Sequence, residues 1–581
     1  MRPLRRWRVV VPVLLGLVLL AGAWLGWNAW QVSKDLTAAA EDVETLQDAV
    51  RAGDDEASDT ALADLQAHSR SAADRTGGIS WSVLTKVPAF GDDAHGIRVV
   101  SEVVDDLSND GIAPLIETAG NLEALLPTDG QISIASLRDL QGPVAEGNAA
   151  LAKASERLAG EDPSGYVQRF RDKYRDLSRQ VRKAAVALDS ADAALQVMPS
   201  MLGEGEKRDY LLIFQNNAEI RATGGLPGAV SVLEAEDGKV ALTRQVAANT
   251  FGATDEPVLP MTEAEMGLYY GQIGRYFLNA NLTPDFPRAA DLMRARWEQV
   301  YDERIDGVLA LDPVVLSYVL GVLGPVQVGD VTLTEENAVD ELLSKVYLKY
   351  EDPADQDAFF REVARTTFTR VLAGGADPQA LLRALGRGAR EGRVYVHSFD
   401  EAEQAALAGR VVSGELQTEA TSNPVVDVAL NDGTASKMSY YLRHKVSVIS
   451  TSCTSAGVQS YQAKARLMSE APRDAADLPA YITGGGDAGI DPGAQLVLVE
   501  IHVPVGGTIT DLRYNGEETG LEVVRDGERQ VALTNVYLEP QQKATLTWRM
   551  TSGPDQPGNT VVGVTPGVTT GSKSSVVRSS C

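Results

Sequence analysis

The spacing of hydrophobic and polar residues along this chain changes character three times. Val9 to Trp30, "VVVPVLLGLVLLAGAWLGWNAW", carries no charge. It predicts one apolar helix of about 22 residues, enough to cross a bilayer. Val32, Leu36, Ala39, Val43, Leu46 and Val50 then recur at alternating spacings of 4 and 3, the seam of a helix packed on a partner. The seam is short, so a helix pair within the chain is expected rather than an oligomeric coiled coil. Ile97, Val100, Val104 and Leu107 continue the helical period, as do Val167, Phe170, Tyr174, Leu177, Val181 and Leu188. Breaks fall at Pro88 with Gly91, at "LLPTDG" and at "GEDPSG". Residues 31–200 therefore read as a helical stalk or bundle.

Beyond Pro199 the period shortens. "YLLIF" (Tyr210–Phe214) is a continuous apolar run, as in a strand covered on both faces. "GAVSVLEAEDGKVALTRQVAA" alternates around Asp237-Gly238, a strong hairpin signal. "TEAE" (Thr262–Glu265) fits a capping box, and "PRAADLMRARWEQVY" a helix. "VLALDP" reads as a strand, "VQVGDVTL" as a hairpin, and "TEENAVDELLSKVYLKY" as one long helix capped by Thr334. This interleaving predicts an α/β head domain over 203–400. From about 405, runs such as "YYLRHKVSVIST", "QLVLVEIHVPV", "QVALTNVYL" and "ATLTWRM" alternate with turn residues. They predict an antiparallel β-sandwich domain over 405–581, ending in a surface tail. The expected fold class is multidomain α+β: transmembrane helix, helical stalk or bundle, α/β head and C-terminal sandwich.

Charge supplies an address. "MRPLRRWR" places four arginines ahead of the apolar run, and Trp24, Trp27 and Trp30 gather at its far end. Residues 1–8 are then a cytoplasmic basic tail, 9–30 a single-pass anchor in the cell membrane, and the bulk extracytoplasmic. A signal peptide cleaved after "AGA" (21–23) competes, but the apolar run continues past that point, which favours an uncleaved anchor. A length of 581 residues with 44% hydrophobic content suits several cores. The excess of 80 acidic over 53 basic residues, net −27, would repel nucleic acid. The two cysteines, Cys453 and Cys581, have neither metal-ligand nor CxxC spacing. In an oxidising compartment they predict a disulfide.

Familiar catalytic signatures are missing. The five histidines, at 68, 95, 397, 444 and 502, are too scattered for a zinc pattern. HExxH, GxSxG and P-loop motifs do not occur, so no catalytic residue and no cofactor is evident. Polar chemistry gathers instead in "FQNNAEIRATGG" (214–225). Its Asn216, Asn217, Glu219, Arg221 and Thr223 follow a strand, where α/β sheets hold ligands. An arginine fork suits phosphate or carboxylate, Glu219 a cation or proton, and Gly224-Gly225 the close approach of backbone amides to an anion. The competing reading is a turn in which Glu219 simply pairs with Arg221. "NLTPDFPRAA" adds Asn281 and Asp285. Asp285 reads as a helix cap with Pro287 in the first turn, or both residues face the first motif across a cleft. Asp312 in "LALDP" and the segment "NDGTASKMSYY" (431–441) read as turns.

"RDYLLIFQNNAEIRATGG", "NLTPDFPRAA", "DGVLALDPVVLSYVLGVLGPVQV" and "NDGTASKMSYYL" together resemble the bacterial membrane-anchored family called domain of unknown function 4012. The resemblance spans roughly residues 80–570. It implies an anchored envelope protein of Gram-positive-type bacteria, linked to envelope polysaccharide, and carries no catalytic residues with it. A weaker likeness is to the LytR-CpsA-Psr phosphotransferases, which move glycopolymers from polyprenyl-pyrophosphate carriers to the cell wall. That likeness implies Arg221 gripping pyrophosphate, with Mg2+ near Glu219 or Asp285. Asn216, Asn217 and Glu219 stand where its aspartates are expected. The expected function is to bind or scaffold a cell-wall or capsular glycopolymer at the lipid bilayer, with phosphotransfer as the alternative.

Overall fold

The computed structural model of the chain describes residues 4–88, 90–119, 127 and 130–581, with the side chains of all of these except 4–23, 25 and 119. It is a multidomain α+β protein with two compact units: Met1–Leu125 with Ser133–Pro199, and Leu126–Ile132 with Ser200–Cys581.

The first unit is helical. One helix runs Leu4–Ala52 and is followed by a second, Asp55–Gly77. The Asp54 carboxylate caps the second by accepting from the Ala57 N–H at 3.0 Å. Val32, Ala39 and Leu46 of the predicted seam are buried, and Ala61 and Leu65 of the second helix pack on Ala39 and Leu46. The short seam thus finds its partner within the chain. Helix Gly91–Asp106 passes into a π-helical turn at Leu107–Ile112, and Ile134–Ala159 and Gln168–Met201 follow. Val99, Val103, Leu158, Tyr174 and Val181 form their shared core. Most of the expected membrane segment Val9–Trp30 lies outside the described side chains, as does most of "LLPTDG". Among the described residues no helix is long and apolar enough to cross a membrane.

The second unit begins with a mixed sheet. Its strands are β1 (Arg208–Asn216), β2 (Leu226–Glu236), β3 (Lys239–Ala247), β4 (Gly307–Leu311) and β7 (Val394–Ser398), in the order β3-β2-β1-β4-β7. Only β1 and β4 run parallel. Asp237 and Gly238 take φ of 48° and 83°, the left-handed pair that a tight hairpin requires. Leu211, Ile213, Val230 and Val308 pack on Phe286, Ala289, Leu292 and Trp297 of helix Phe286–Tyr301. Thr262 and Glu265 form the capping box expected of "TEAE". The hairpin in "VQVGDVTL" is β5 (Val326–Val328) with β6 (Val331–Leu333). The regular helix starts at Ala338, later than the expected Thr334 cap, although the Asn337 Oδ1 accepts from the Thr334 N–H at 2.8 Å and the Ala338 N–H donates to the Thr334 C=O at 3.1 Å. It then opens into a π turn at Glu341–Lys345.

Two further sheets follow. One has the order β14-β15-β11-β8-β17-β18 and the other β13-β12-β16-β10-β9. In chain order these strands are β8 (Val425–Asp432), β9 (Leu442–Cys453), β10 (Gln459–Ser469), β11 (Gln495–His502), β12 (Ile509–Tyr514), β13 (Glu517–Glu518), β14 (Glu522–Asp526), β15 (Arg529–Leu538), β16 (Lys543–Thr551), β17 (Thr560–Val564) and β18 (Ser575–Val577). Val428, Leu430, Val499 and Ile501 of one sheet share a core with Ala465, Leu467, Leu546 and Trp548 of the other. The expectation of a purely antiparallel arrangement needs correction: β8 and β17 run parallel. The chain leaves β16 in one sheet and enters β17 in the other from the end where β8 starts. Hydrogen bonds from Gly558 N–H to Ser422 C=O (2.7 Å) and from Val561 N–H to Pro424 C=O (2.9 Å) hold it there.

Cys453 and Cys581 form the expected disulfide, across 128 residues of sequence. It ties the end of β9 to the segment beyond β18. Reduction, or a Cys453→Ser/Cys581→Ser double variant, should lower stability by roughly 2–4 kcal/mol. Urea midpoints with and without reductant read this directly, and identical midpoints would contradict it.

Candidate functional site

β1 ends by doubling back on itself. The Glu219 N–H donates to the Asn216 C=O at 3.1 Å, and the Asn216 Oδ1 accepts from the Ala218 N–H at 3.0 Å. The Leu226 N–H then returns to the Glu219 C=O at 2.9 Å, closing a loop that leads into β2. A Cβ at Gly225 would lie 2.3 Å from the Asn216 carbonyl carbon, so only glycine fits where the two arms meet. The loop is buried throughout. Ala218 packs with Leu320, Val326 and Leu343, whereas Ile220 belongs to the core between the two C-terminal sheets.

Glu219 and Arg221 are each only 5% exposed. The Arg221 Nη2 donates to Glu219 Oε1 at 2.9 Å, and its Nη1 to the carbonyls of Ile220 (3.1 Å) and Asp432 (3.3 Å). The other Glu219 oxygen, Oε2, accepts from the Lys437 Nζ at 2.5 Å. That ammonium lies 5.4 Å from the ring centre of Tyr481 and 5.9 Å from that of Tyr347. Burial alone would raise the Glu219 carboxyl, but the Lys437 and Arg221 charges outweigh it and hold the group below the usual range. Lys437 is raised: burial opposes its charge, and Glu219 more than compensates. Asp432 has no such cation of its own. Burial, with repulsion from Glu219, lifts it to about 6. Its oxygens accept from the Thr434 hydroxyl (2.6 Å) and from the backbone of Thr434 and Ser436.

The remaining predicted residues also bond within the interior, although Asn217 Oδ1, Asn281 Oδ1 and Arg221 Nε find no hydrogen-bond partner among the described residues. The Asn216 amide donates to the Tyr347 hydroxyl, from the helical segment Val346–Lys349 that follows the π turn. Asn217 donates to Asp312 Oδ2 at 3.1 Å. Asp312 caps helix Pro313–Leu323 through the Val315 N–H and accepts from Arg393 at 2.6 Å. Expected only to form a turn, it is also part of a buried ion pair. The Thr223 hydroxyl donates to Gln215 Oε1 at 2.7 Å. Asn281 Nδ2 donates to Gln215, Thr223 and the Gly225 carbonyl at 2.8–3.1 Å. Asn281 therefore does meet the first motif, inside a packed interior rather than across a cleft. Asp285 does not join them. It precedes helix Phe286–Tyr301, with Pro287 in the first turn, but its side chain makes no capping bond there. Its carboxylate accepts from the Leu416 N–H at 3.1 Å instead.

Sequence reasoning misses Asp432 and Lys437, because their segment "NDGTASKMSYY" reads as turn chemistry. Asn431 beside them accepts from the Ala222 N–H at 2.9 Å and donates to Glu500 at 2.8 Å. The available signal is compositional: several hydrogen-bonding residues crowd in directly after the apolar run "VVDVAL". With each Glu219 oxygen held by a cation, a proton or a metal ion would compete there with the Lys437 and Arg221 charges. Among the described residues no group of three or more His, Cys, Asp or Glu side chains is arranged to hold a metal ion. The arrangement is chemically a lock between segments.

Two measurements test this. Lys437→Met leaves a buried carboxylate short of a cation, which should cost roughly 3–5 kcal/mol, with Glu219→Gln in the same chain recovering part of it. A loss below about 1 kcal/mol on urea denaturation would contradict the lock. Burial also lifts the Asp285 carboxyl from 3.8 to about 6. The native state then holds that proton more tightly than the unfolded chain, so this stabilisation is complete below pH 3.8 and lost as pH rises through about 6. Asp285→Asn should gain on the wild type by on the order of 2 kcal/mol between pH 4 and pH 7. Parallel pH profiles for the two proteins would refute the assignment.

No curated protein and no solved structure matches the chain. Residues 205–347, which hold β1, the buried loop, Asn281, Asp285 and Asp312, match the family model described as protein of unknown function (DUF4012).

Proposed function

We propose that the chain is a membrane-anchored, extracytoplasmic envelope protein that binds or scaffolds a cell-surface glycopolymer. One observation carries the non-catalytic half of this reading: Arg221 and Glu219 are closed on each other and on Lys437 in the interior. A phosphotransferase would need that arginine facing a pyrophosphate and that carboxylate, or Asp285, facing a metal. The address is supported by the arginines before Val9–Trp30 and by the Cys453–Cys581 disulfide, a bond that persists in oxidising compartments. The glycopolymer is what the resemblance to domain of unknown function 4012 implies.

Protease added to intact protoplasts should digest the chain from Gln31 onward. Deleting the gene in the native host should change the amount or length of wall-linked polysaccharide, and expressing the full chain should restore it. Complete protection from protease would remove the address. An unchanged wall in the deletion strain would remove the glycopolymer.

A further inference from the structure

The fold leaves apolar surface uncovered where the first unit adjoins Val9–Trp30. Helix Ile79–Leu84 turns one side to the interior: Trp81 is buried with Val32 and Ala94, and Leu84, Ala29 and Leu36 pack beside it. The Trp81 indole N–H donates to the Ala94 C=O at 2.8 Å. The outer side of the same helix is apolar too. Ile79 and Val83, one turn apart on a shared face, are 88% and 54% exposed, and Phe90, just before helix Gly91–Asp106, is 61% exposed. Trp24, Trp27 and Trp30 on helix Leu4–Ala52 are exposed as well. Among the described residues of the first unit, only Val167 and Val186 are other large apolar side chains exposed to this degree. Apolar side chains scattered singly over a surface are ordinary, whereas a cluster of them marks a contact.

The cluster stands on a braced support. The Arg98 guanidinium donates to the Thr76 C=O at 2.8 Å and to the Ser82 hydroxyl at 3.0 Å, fixing both ends of the turn into helix Ile79–Leu84. The N–H groups of Phe90 and Gly91 donate to the Val87 C=O at 3.3 and 2.9 Å. A Cβ at Gly91 would lie 2.5 Å from the Thr85 carbonyl oxygen, so glycine is what lets the turn close. With Trp81 anchored inward, Ile79 and Val83 are held outward by the same helix.

Height along helix Leu4–Ala52 selects what covers them. From Val9 to Trp30 that helix rises about 33 Å, and the hydrocarbon core of a bilayer is about 30 Å thick. A span starting at Val9 therefore leaves the hydrocarbon near Trp27 to Trp30, and Trp81 packs at that same level, against Ala29 and Val32. We propose that helix Ile79–Leu84 and the turn to Phe90 dip into the outer leaflet beside the span, with Ile79, Val83 and Phe90 among the upper acyl chains. Exposed Lys86 in that turn suits headgroup phosphates. The nearest acids, Asp92 and Asp93, lie past Phe90 on the helix that leads away, since its Val104 packs in the cluster of Ala39 and Leu46. A second copy of the chain is the rival cover, but it would have to enter the headgroup layer to reach this face. The inference rests on the anchored reading and adds to it a second lipid contact, which keeps the first unit from swinging about a single helix.

Nitroxide labels on single introduced cysteines test this in the full chain, reconstituted in phosphatidylcholine–phosphatidylglycerol liposomes. Cys453 and Cys581 are paired, so only the introduced thiol reacts. Relative accessibility to oxygen and to a nickel complex reads the depth of each label. Ile79→Cys and Phe90→Cys should lie about 5–10 Å below the headgroup boundary. Val186→Cys, comparably exposed but roughly 27 Å along helix Gln168–Met201, should report water. Gly26→Cys, where a Cβ has nothing within 4 Å, reports the span itself and should report lipid. All these positions are exposed, so the labels leave the core intact. Water at 79 and 90 with lipid at 26 would overturn the second contact and leave the anchor standing. Water at all four positions would overturn both. Lipid at 79 and 90 with water at 26 would keep the contact and remove the span. Spin–spin broadening at 79 that vanishes on dilution with unlabelled chain would give the face to a second copy and overturn the proposal.

Discussion

A carboxylate taken out of water must be matched by positive charge within hydrogen-bonding distance, and the second unit is arranged around one such requirement. Glu219 sits between Lys437 and Arg221, contributed by segments 218 residues apart and two residues apart in sequence. Arg221 reaches it from within the loop 217–225, whereas Lys437 reaches it only once β1 has ended, that loop has turned inward, and β8 has delivered 431–437 beside it. The charge requirement therefore selects a single register for three segments at once. Ile220 and Ala218 add an apolar counterpart, since one enters the core of the C-terminal sheets and the other the core around Leu343. Hydrophobic burial supplies most of the driving force, whereas the ions restrict which packing is acceptable.

A second buried chain of charge repeats the device. Arg393, with no exposed surface, donates to Asp312, to Glu391 at 3.1 Å and to the Thr569 carbonyl. The Tyr318 hydroxyl and the Gly571 N–H complete the Glu391 carboxylate. The start of helix Pro313–Leu323, the approach to β7 and the segment after β17 are thereby held together. The charged groups of these two clusters face protein, which explains why a motif rich in Asn, Glu and Arg reads as a binding site in sequence and as architecture in space.

What the sequence discloses is local. The Asp237-Gly238 hairpin, the Thr262–Glu265 capping box and the apolar run of β1 each declare themselves within a few residues, because turn geometry, capping and strand burial act at that range. The Val32–Val50 seam is equally legible, since its partner helix follows directly. The disulfide is legible for a different reason: two cysteines allow one pairing. Reach is what fails. No pattern within "NDGTASKMSYY" announces a lysine aimed at Glu219, and no local signal sets β17 parallel to β8.

The stretch recognised by similarity, residues 205–347, contains Glu219 but neither Lys437 nor Arg393. Excised at those limits, Glu219 would keep Arg221 but lose Lys437, and Asp312 would lose Arg393, while Ile220 would lose a pocket that belongs to strands far downstream. Sequence similarity and autonomous folding draw different borders here. The matched stretch is a fragment, and the physical unit extends to the sheets that close over it.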